Sequence, residues 1–307
     1  MKIISATELA EASPYRDIVE TLRQGFRDDI ETPVRHQHQT SDVAILLLMP
    51  AWSKDFTGLK TVVFKSDNPA QGLPTITANY LLIDNRTGAT VAMMDGTELT
   101  RRRTAAASAL AADYLARKDA STMLMVGTGA LAAHFVRAHA AMRPIKTVLL
   151  YNRSPDKAKS LAAELSKDGS LDVSIVTDLE RAMGAADIMS CATTSAAPIL
   201  RGKWLEPGTH VDLAGAFTPH MRETDGDVVA RARVYVDTRE GAEAEAGDLL
   251  QAVQEGKFRM EDIQGDLSGL CRGQTVGRRN SEEITLFKSC GTAIEDLATA
   301  MLVYSRS

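Results

Sequence analysis

Thr122-Met123-Leu124-Met125-Val126-Gly127-Thr128-Gly129-Ala130-Leu131-Ala132 is the stretch on which the reading of the fold turns. An apolar run enters a glycine turn and continues as alanine-rich sequence to residue 142, the pattern of a buried strand feeding a helix. Gly127, Gly129 and Ala132 fall on the G-x-G-x-x-A form of the dinucleotide fingerprint. Each residue type has a physical reason. Gly127 permits a tight turn, Gly129 lets a pyrophosphate approach the backbone, and Ala132 lets the helix pack closely on the strand while its first amides face the anion. Alone the motif is a weak signal, because glycines at such a turn often serve packing only.

The flanking sequence strengthens it. Strand-like runs at 147–152, 172–176, 187–192, 210–215, 233–237 and 284–288 alternate with helical stretches such as 155–166. That alternation predicts a Rossmann-type, doubly wound parallel sheet. Upstream the grammar changes. Residues 43–49, 59–65, 75–84 and 89–94 read as four strands without intervening helices, the last two joined by the turn Asn85-Arg86-Thr87-Gly88. They cannot belong to the parallel sheet, so an α+β, largely antiparallel domain is expected up to about residue 115.

Ser13-Pro14 reads as a helix start, a capping hydroxyl before a proline at the first helical position, with Tyr15, Ile18, Leu22 and Phe26 on one face. Residues 32–38 read as a polar connection. A helix over 97–117 puts Arg103, Ala106, Ala107 and Leu110 on one face, so of Arg101, Arg102 and Arg103 only the last lies in register with the alanines. Residues 241–256 read as a single amphipathic helix with Ala242, Ala246, Leu249, Leu250 and Val253 inward, and a last helix runs over 292–304.

With 307 residues and 44% hydrophobic content the chain can bury two sizeable cores. A net charge of −5 offers no broad basic surface, so nucleic acid is not an expected partner. The run 43–49 stops at Pro50, far short of the ~18–20 apolar residues of a membrane span, so neither membrane nor export is expected. Three cysteines stand far apart without a C-x-x-C spacing, which suggests no zinc site or disulfide framework and a cytoplasmic setting.

Four cations of the first region, Arg35, Lys60, Lys65 and Arg103, sit beside apolar or small residues and are candidates to hold an anionic substrate. On a regular strand Lys60 and Lys65 face opposite ways, so at most one serves a given site. His36 and His38 could share a face, but no third metal ligand is visible nearby, and Cys191 is most simply a small buried hydrophobe. After the second strand of the parallel sheet comes Asn152-Arg153-Ser154, where an NAD enzyme usually has an acidic residue. Arg153 and Ser154 can instead receive a 2′-phosphate.

Several separated motifs then coincide. Pro33-Val34-Arg35, Gly58-Leu59-Lys60, Arg103-Thr104-Ala105-Ala106 and Thr285-Leu286-Phe287-Lys288-Ser289-Cys290-Gly291-Thr292-Ala293-Ile294-Glu295-Asp296-Leu297-Ala298, together with the fingerprint, resemble the ornithine cyclodeaminase/mu-crystallin family along nearly the whole chain. The resemblance implies a homodimer. It also implies a substrate-binding and dimerisation domain of residues 1–116 with 290–307, the last helix returning to it, and a dinucleotide-binding domain of residues 117–289. It assigns Arg35, Lys60 and Cys290 to the substrate, with Lys60 also catalytic. It assigns Thr75, Arg103, Gly127, Thr128, Gly129, Ala130, Leu131, Asn152, Arg153, Thr193, Leu213, Gly215, Ala216 and Ser289 to the cofactor.

One departure separates branches of the family. The cyclodeaminases carry an acid/base aspartate just after the glycine of the fifth-strand loop, whereas this chain reads Ala214-Gly215-Ala216-Phe217-Thr218-Pro219. That wording resembles the imine-reducing branch, which implies reduction of cyclic ketimines, Δ1-pyrroline-2-carboxylate to L-proline and Δ1-piperideine-2-carboxylate to L-pipecolate. NADPH is the expected cofactor and NADH a second choice. The alternatives within the resemblance are an ornithine cyclodeaminase recycling NAD, an alanine dehydrogenase, and a mu-crystallin-like ligand-binding protein.

Overall fold

The parallel sheet forms where the alternating pattern places it. In the computed structural model, which describes residues 1–167 and 169–307, the strands in chain order are β1 (Lys2–Ile4), β2 (His36–Ser41), β3 (Ala44–Trp52), β4 (Phe56–Lys65), β5 (Ile76–Asp84), β6 (Thr90–Asp95), β7 (Thr122–Val126), β8 (Thr147–Tyr151), β9 (Asp172–Ile175), β10 (Ile188–Cys191), β11 (His210–Leu213), β12 (Arg233–Val236), β13 (Gly265–Asp266) and β14 (Thr285–Lys288). Contacts divide the chain into two compact units, Met1–Thr104 with Thr292–Ser307, and Ala105–Gly291. The boundary falls inside the helix Gly96–Leu115. Residues 105–116, grouped by sequence with the first unit, fall in the second, where Thr285 Oγ1 donates to Leu115 O (2.9 Å) and Arg143 Nη2 to Ala112 O (2.8 Å).

In the first unit the sheet order is β1-β6-β5-β4-β3-β2, antiparallel except where β1 pairs with β6. Two of these strands were illegible from pattern. β1 is three residues long, and β2 exposes all six of its residues, so neither shows the alternation that marks a half-buried strand. His36 and His38 therefore lie on an edge strand, not in an irregular connection. The helix start at Ser13-Pro14 is also corrected. Ser13 Oγ donates to Leu9 O (2.6 Å) of a preceding helix, Ala6–Ala12, and the helix Tyr15–Gly25 begins after Pro14 without a side-chain cap. The C-terminal helix Ala293–Arg306 packs on Tyr15–Gly25 so closely that a Cβ at Gly25 would lie 2.9 Å from Ala298 Cβ.

In the second unit all pairings are parallel, in the order β13-β12-β14-β11-β10-β7-β8-β9. Sequence order reverses between β7 and β10, the switch point at which open α/β sheets bind ligands outside the carboxyl ends of their strands. The helix after β7 runs Ala132–Met142, with Ala132, Phe135 and Val136 buried. The single helix expected over 241–256 is two, Arg239–Glu245 and Gly247–Gln254. The break has a cause: Gly247 comes so near the Met221 and Thr218 carbonyls that a Cβ would be 2.1 and 2.4 Å from them. Val253, expected inward, is exposed.

The two fingerprint glycines make different demands. Gly127 has φ +96°, and a Cβ there would lie 2.9 Å from both Ala192 O and Thr193 Cγ2, whereas a Cβ at Gly129 would meet nothing within 4 Å. Gly127→Ala is therefore expected to cost about 1–3 kcal/mol, a fall in Tm of about 2–4 °C per kcal/mol. Gly129→Ala should stay within about 0.5 kcal/mol. Thermal melts of the two variants check this, and equal destabilisation would contradict it.

Candidate active site

Strand alternation builds the centre of the first unit. On β4, Gly58 and Lys60 share the buried face, and Lys60 pairs with Tyr80 across the ladder. A Cβ at Gly58 would sit 1.8 Å from the Tyr80 hydroxyl, so the glycine makes room for the ring beside the lysine. Lys65 turns the other way and bonds Asp67 at 2.5 Å, partly exposed. The structure thus separates the two lysines that spacing alone left open.

Lys60 Nζ is 1% exposed and donates to Asp296 Oδ1 at 2.8 Å. It lies still nearer Oδ2 (2.7 Å) but without hydrogen-bond geometry there. Arg103 Nε donates to the same Oδ1 (2.8 Å), and its Nη1 pairs with Glu295. Arg101 and Arg102 point elsewhere; Arg102 Nη2 donates to Ser13 O (2.7 Å). All four charged groups of the cluster are buried, where charge survives only if paired.

Lys60 and Arg103 face Asp296 and Glu295, and the partly buried Arg35 adds its field from nearby. Burial first, then the Arg103 charge, pulls the Lys60 ammonium from 10.5 down to about 7 against the pull of Asp296. Asp296, despite burial, stays below the ordinary carboxylate range because Arg103 and Lys60 hold it charged. The Tyr80 hydroxyl is buried without a hydrogen-bond partner among the described residues, and burial keeps it neutral by raising its pKa well above 10. An ammonium drawn down to about 7 suits a group that accepts a proton. Thr75, just before β5, is partly buried, and its carbonyl accepts from Lys65 N (2.8 Å).

In the second unit the predicted cofactor residues gather at the carboxyl ends of five adjacent strands, β8, β7, β10, β11 and β14. Gly129 and Ala130 are exposed, Leu131 is partly buried, and Thr128 Oγ1 is buried with no hydrogen-bond partner among the described residues. After β8, Arg153 is exposed, Asn152 Nδ2 donates to Ser154 O (3.0 Å), and the Ser154 side chain makes no capping bond. Leu213 and Ala216 are completely buried. The turn after β14 hangs on Asp237, whose Oδ2 accepts from Ser289 Oγ (3.2 Å), Cys290 N (2.7 Å) and Gly291 N (2.5 Å). Open space over Gly129 and the unpartnered Thr128 hydroxyl fit a dinucleotide phosphate.

Reading by motif missed the partners of these groups: Glu295 and Asp296 under the cations, and Asp237, Glu223 and Asp248 under the strand-end loops. A signal was present for the first pair. Two acids inside Ala293-Ile294-Glu295-Asp296-Leu297-Ala298 interrupt an apolar run, and acids are almost never fully buried unless paired. Among the described residues no group of three or more His, Cys, Asp or Glu is placed to hold a metal.

The family model "Ornithine cyclodeaminase/mu-crystallin family" matches residues 3–307. The chain belongs to that family. Relatives in the ornithine cyclodeaminase/mu-crystallin family include the Delta(1)-pyrroline-2-carboxylate reductase of Colwellia psychrerythraea, 34% identical over 100% of this chain and 99% of the relative. Among solved structures, the Thermococcus litoralis Delta(1)-pyrroline-2-carboxylate reductase in complex with NADH and L-proline superposes with a TM-score of 0.95 at 33% identity. That match covers 100% of this chain and 97% of the other. An archaeal alanine dehydrogenase dimer with bound NAD matches with a TM-score of 0.93 at 31% identity, covering 100% and 95%.

Asp296→Asn leaves Lys60 and Arg103 buried with one carboxylate fewer, and breaking such a pair costs about 3–5 kcal/mol. Denaturant unfolding of the variant measures this. A loss under about 1 kcal/mol would show that water already shields the cluster.

Proposed function

We propose that this chain reduces cyclic ketimines, Δ1-pyrroline-2-carboxylate and Δ1-piperideine-2-carboxylate, to L-proline and L-pipecolate with a nicotinamide cofactor. The observation that carries the reading is the buried Lys60, held by Asp296 beside Arg103, with its ammonium drawn down to about 7 by burial. In this reading Arg35 and Lys60 hold and orient the carboxylate beside the ketimine carbon. Cys290 lines the substrate in the same reading. Lys60, titrating near neutrality, passes its proton to the imine nitrogen, which makes the neighbouring carbon a better acceptor. A bound dihydronicotinamide supplies the hydride.

Ala216 supports reduction over cyclodeamination. Expelling ammonia from an amino-bearing carbon calls for a positioned carboxylate, and an alanine with a buried methyl cannot act as one. We further infer that NADPH is preferred and NADH accepted, because Asn152, Arg153 and Ser154 present no carboxylate to a ribose hydroxyl and leave an exposed guanidinium for a 2′-phosphate. Thr75, Arg103, Thr193, Gly215 and Ser289 complete the cofactor contacts in this reading. A homodimer through the first unit is supported by Val34, Val43, Val63, Leu73 and Ile76, large apolar residues exposed within or beside β2 to β5. All three cysteines are buried, and a cytoplasmic setting is part of this reading.

If Lys60 must be protonated both to hold the carboxylate and to deliver the proton, kcat/KM for the imine is highest below its pKa and falls as pH rises through about 7. Lys60→Met should lose about 10²–10⁴-fold in kcat/KM. The assay follows NADPH oxidation with each imine, with pyruvate plus ammonia as the contrast. A Lys60→Met enzyme of near wild-type activity, or turnover confined to pyruvate and ammonia, overturns the reading.

A further inference from the structure

Glu223 lies a few residues beyond the Gly215 loop, and no motif gave it a role. It is completely buried. Its Oε1 accepts from the Thr193 amide (2.7 Å) and the Thr193 hydroxyl (3.0 Å), and its Oε2 accepts from the Gly215 amide (2.7 Å). One carboxylate therefore ties the loop after β10 to the loop after β11. The fit is close, since a Cβ on Gly215 would lie 2.0 Å from Thr193 O and 2.4 Å from Glu223 Oε1. The first of these loops in turn crowds the fingerprint, through the contacts of Ala192 and Thr193 with Gly127.

Glu223 is itself held firmly. Its own amide and that of Thr224 donate to Asp248 Oδ1 (2.7 and 2.9 Å), and its carbonyl accepts from Ile199 and Leu200 (2.8 and 3.0 Å). Lys288 Nζ, fully buried at the end of β14, lies 3.4 Å from Asp248 Oδ2. A backbone anchored this well presents the carboxylate at a fixed point, so the two loops can be set against it.

We propose that Glu223 is a positioning residue for the nicotinamide nucleotide: its ionised carboxylate fixes the Thr193 and Gly215 loops in the arrangement that receives the cofactor, and protonation releases them. The proposal rests on the reading of Thr193, Gly215 and Ala216 as cofactor-contacting residues. All three bonds are donated to the carboxylate. A proton on it removes the charge that strengthens them and takes up one of its acceptor sites.

The charged and titratable groups facing Glu223 are Lys288 of β14, Asp248 of the helix Gly247–Gln254 and Cys191 of β10. Burial raises the Glu223 carboxyl, Lys288 lowers it and Asp248 raises it again, leaving it at about 7. Cofactor affinity should then weaken as pH falls through about 7. Folding stability has the opposite sign. A carboxyl raised above its unfolded value stabilises the folded chain at low pH, and that contribution is lost as pH rises through about 7. A role in folding alone would therefore not produce weaker binding at low pH.

The test uses NADH without substrate, because the 2′-phosphate of NADPH would itself titrate near ~6. Binding to the full chain is followed by NADH fluorescence from about pH 8 to about pH 6. The wild-type Kd should rise by about 10-fold, as expected for loss of one charge-assisted hydrogen bond, with a midpoint near 7. Glu223→Gln should bind weakly at both ends with little pH dependence. Thr193→Val removes one donor to the ionised form and should move the midpoint upward, which keeps the proposal testable if Glu223→Gln does not fold. Wild-type affinity and profile in Glu223→Gln, a flat wild-type profile, or an unmoved midpoint in Thr193→Val would overturn the role of Glu223 and leave the cofactor reading standing. A wild-type chain that binds no NADH at any pH would overturn both.

Discussion

Burying a lysine is the constraint on which the first unit is built. Lys60 has no access to water worth the name, so Asp296 must meet it, and Asp296 must be brought there by a helix from the far end of the chain. That requirement explains why Ala293–Arg306 packs on β3, β4 and β5, and why Gly25, Gly58 and Ala298 are small where backbone and ring approach. A buried pair of this kind adds little net stability over a hydrophobic alternative. Its value lies in chemistry: burial, and then the neighbouring Arg103 charge, leave an ammonium drawn down to about 7 against the pull of Asp296.

The second unit solves a different problem, the display of polar backbone at strand ends without water beneath it. Buried acids do this twice. Asp237 gathers the turn after β14, its carboxylate accepting from four donors, and Glu223 gathers the loops after β10 and β11, its carboxylate accepting from three. Lys288 and Asp248 sit below Glu223 as a fully buried pair. The loops above are thereby set by charge and hydrogen bonds, while the strands below them are set by apolar packing of Leu124, Val126, Met189, Val211 and Leu286.

Much of this was legible in the sequence because it follows from short-range rules. The Gly127 turn, the parallel strands and the opposite facing of Lys60 and Lys65 come from spacing and alternation, though not which lysine turns inward, and Arg103 was picked from three arginines by helical register alone. What was not legible depends on contacts far along the chain. β1 and β2 are too short or too exposed to carry a pattern. The helix break at Ala246 is imposed by the Met221 and Thr218 carbonyls, which no local window contains. Asp296 is 236 residues from Lys60, and the place of Glu223 requires knowing that β10 and β11 are neighbours.

The central claim is that Lys60 is a buried ammonium poised near neutrality and waiting for a carboxylate. The most direct measurement is its own titration, followed by NMR of a lysine-specific ¹³C label assigned through Lys60→Met, in the free protein and with the unreactive anion pyrrole-2-carboxylate. The account predicts a midpoint near 7 in the free protein, which rises when the anion adds its negative charge beside the ammonium. A lysine that titrates at its ordinary value of about 10.4 and ignores the anion would contradict it.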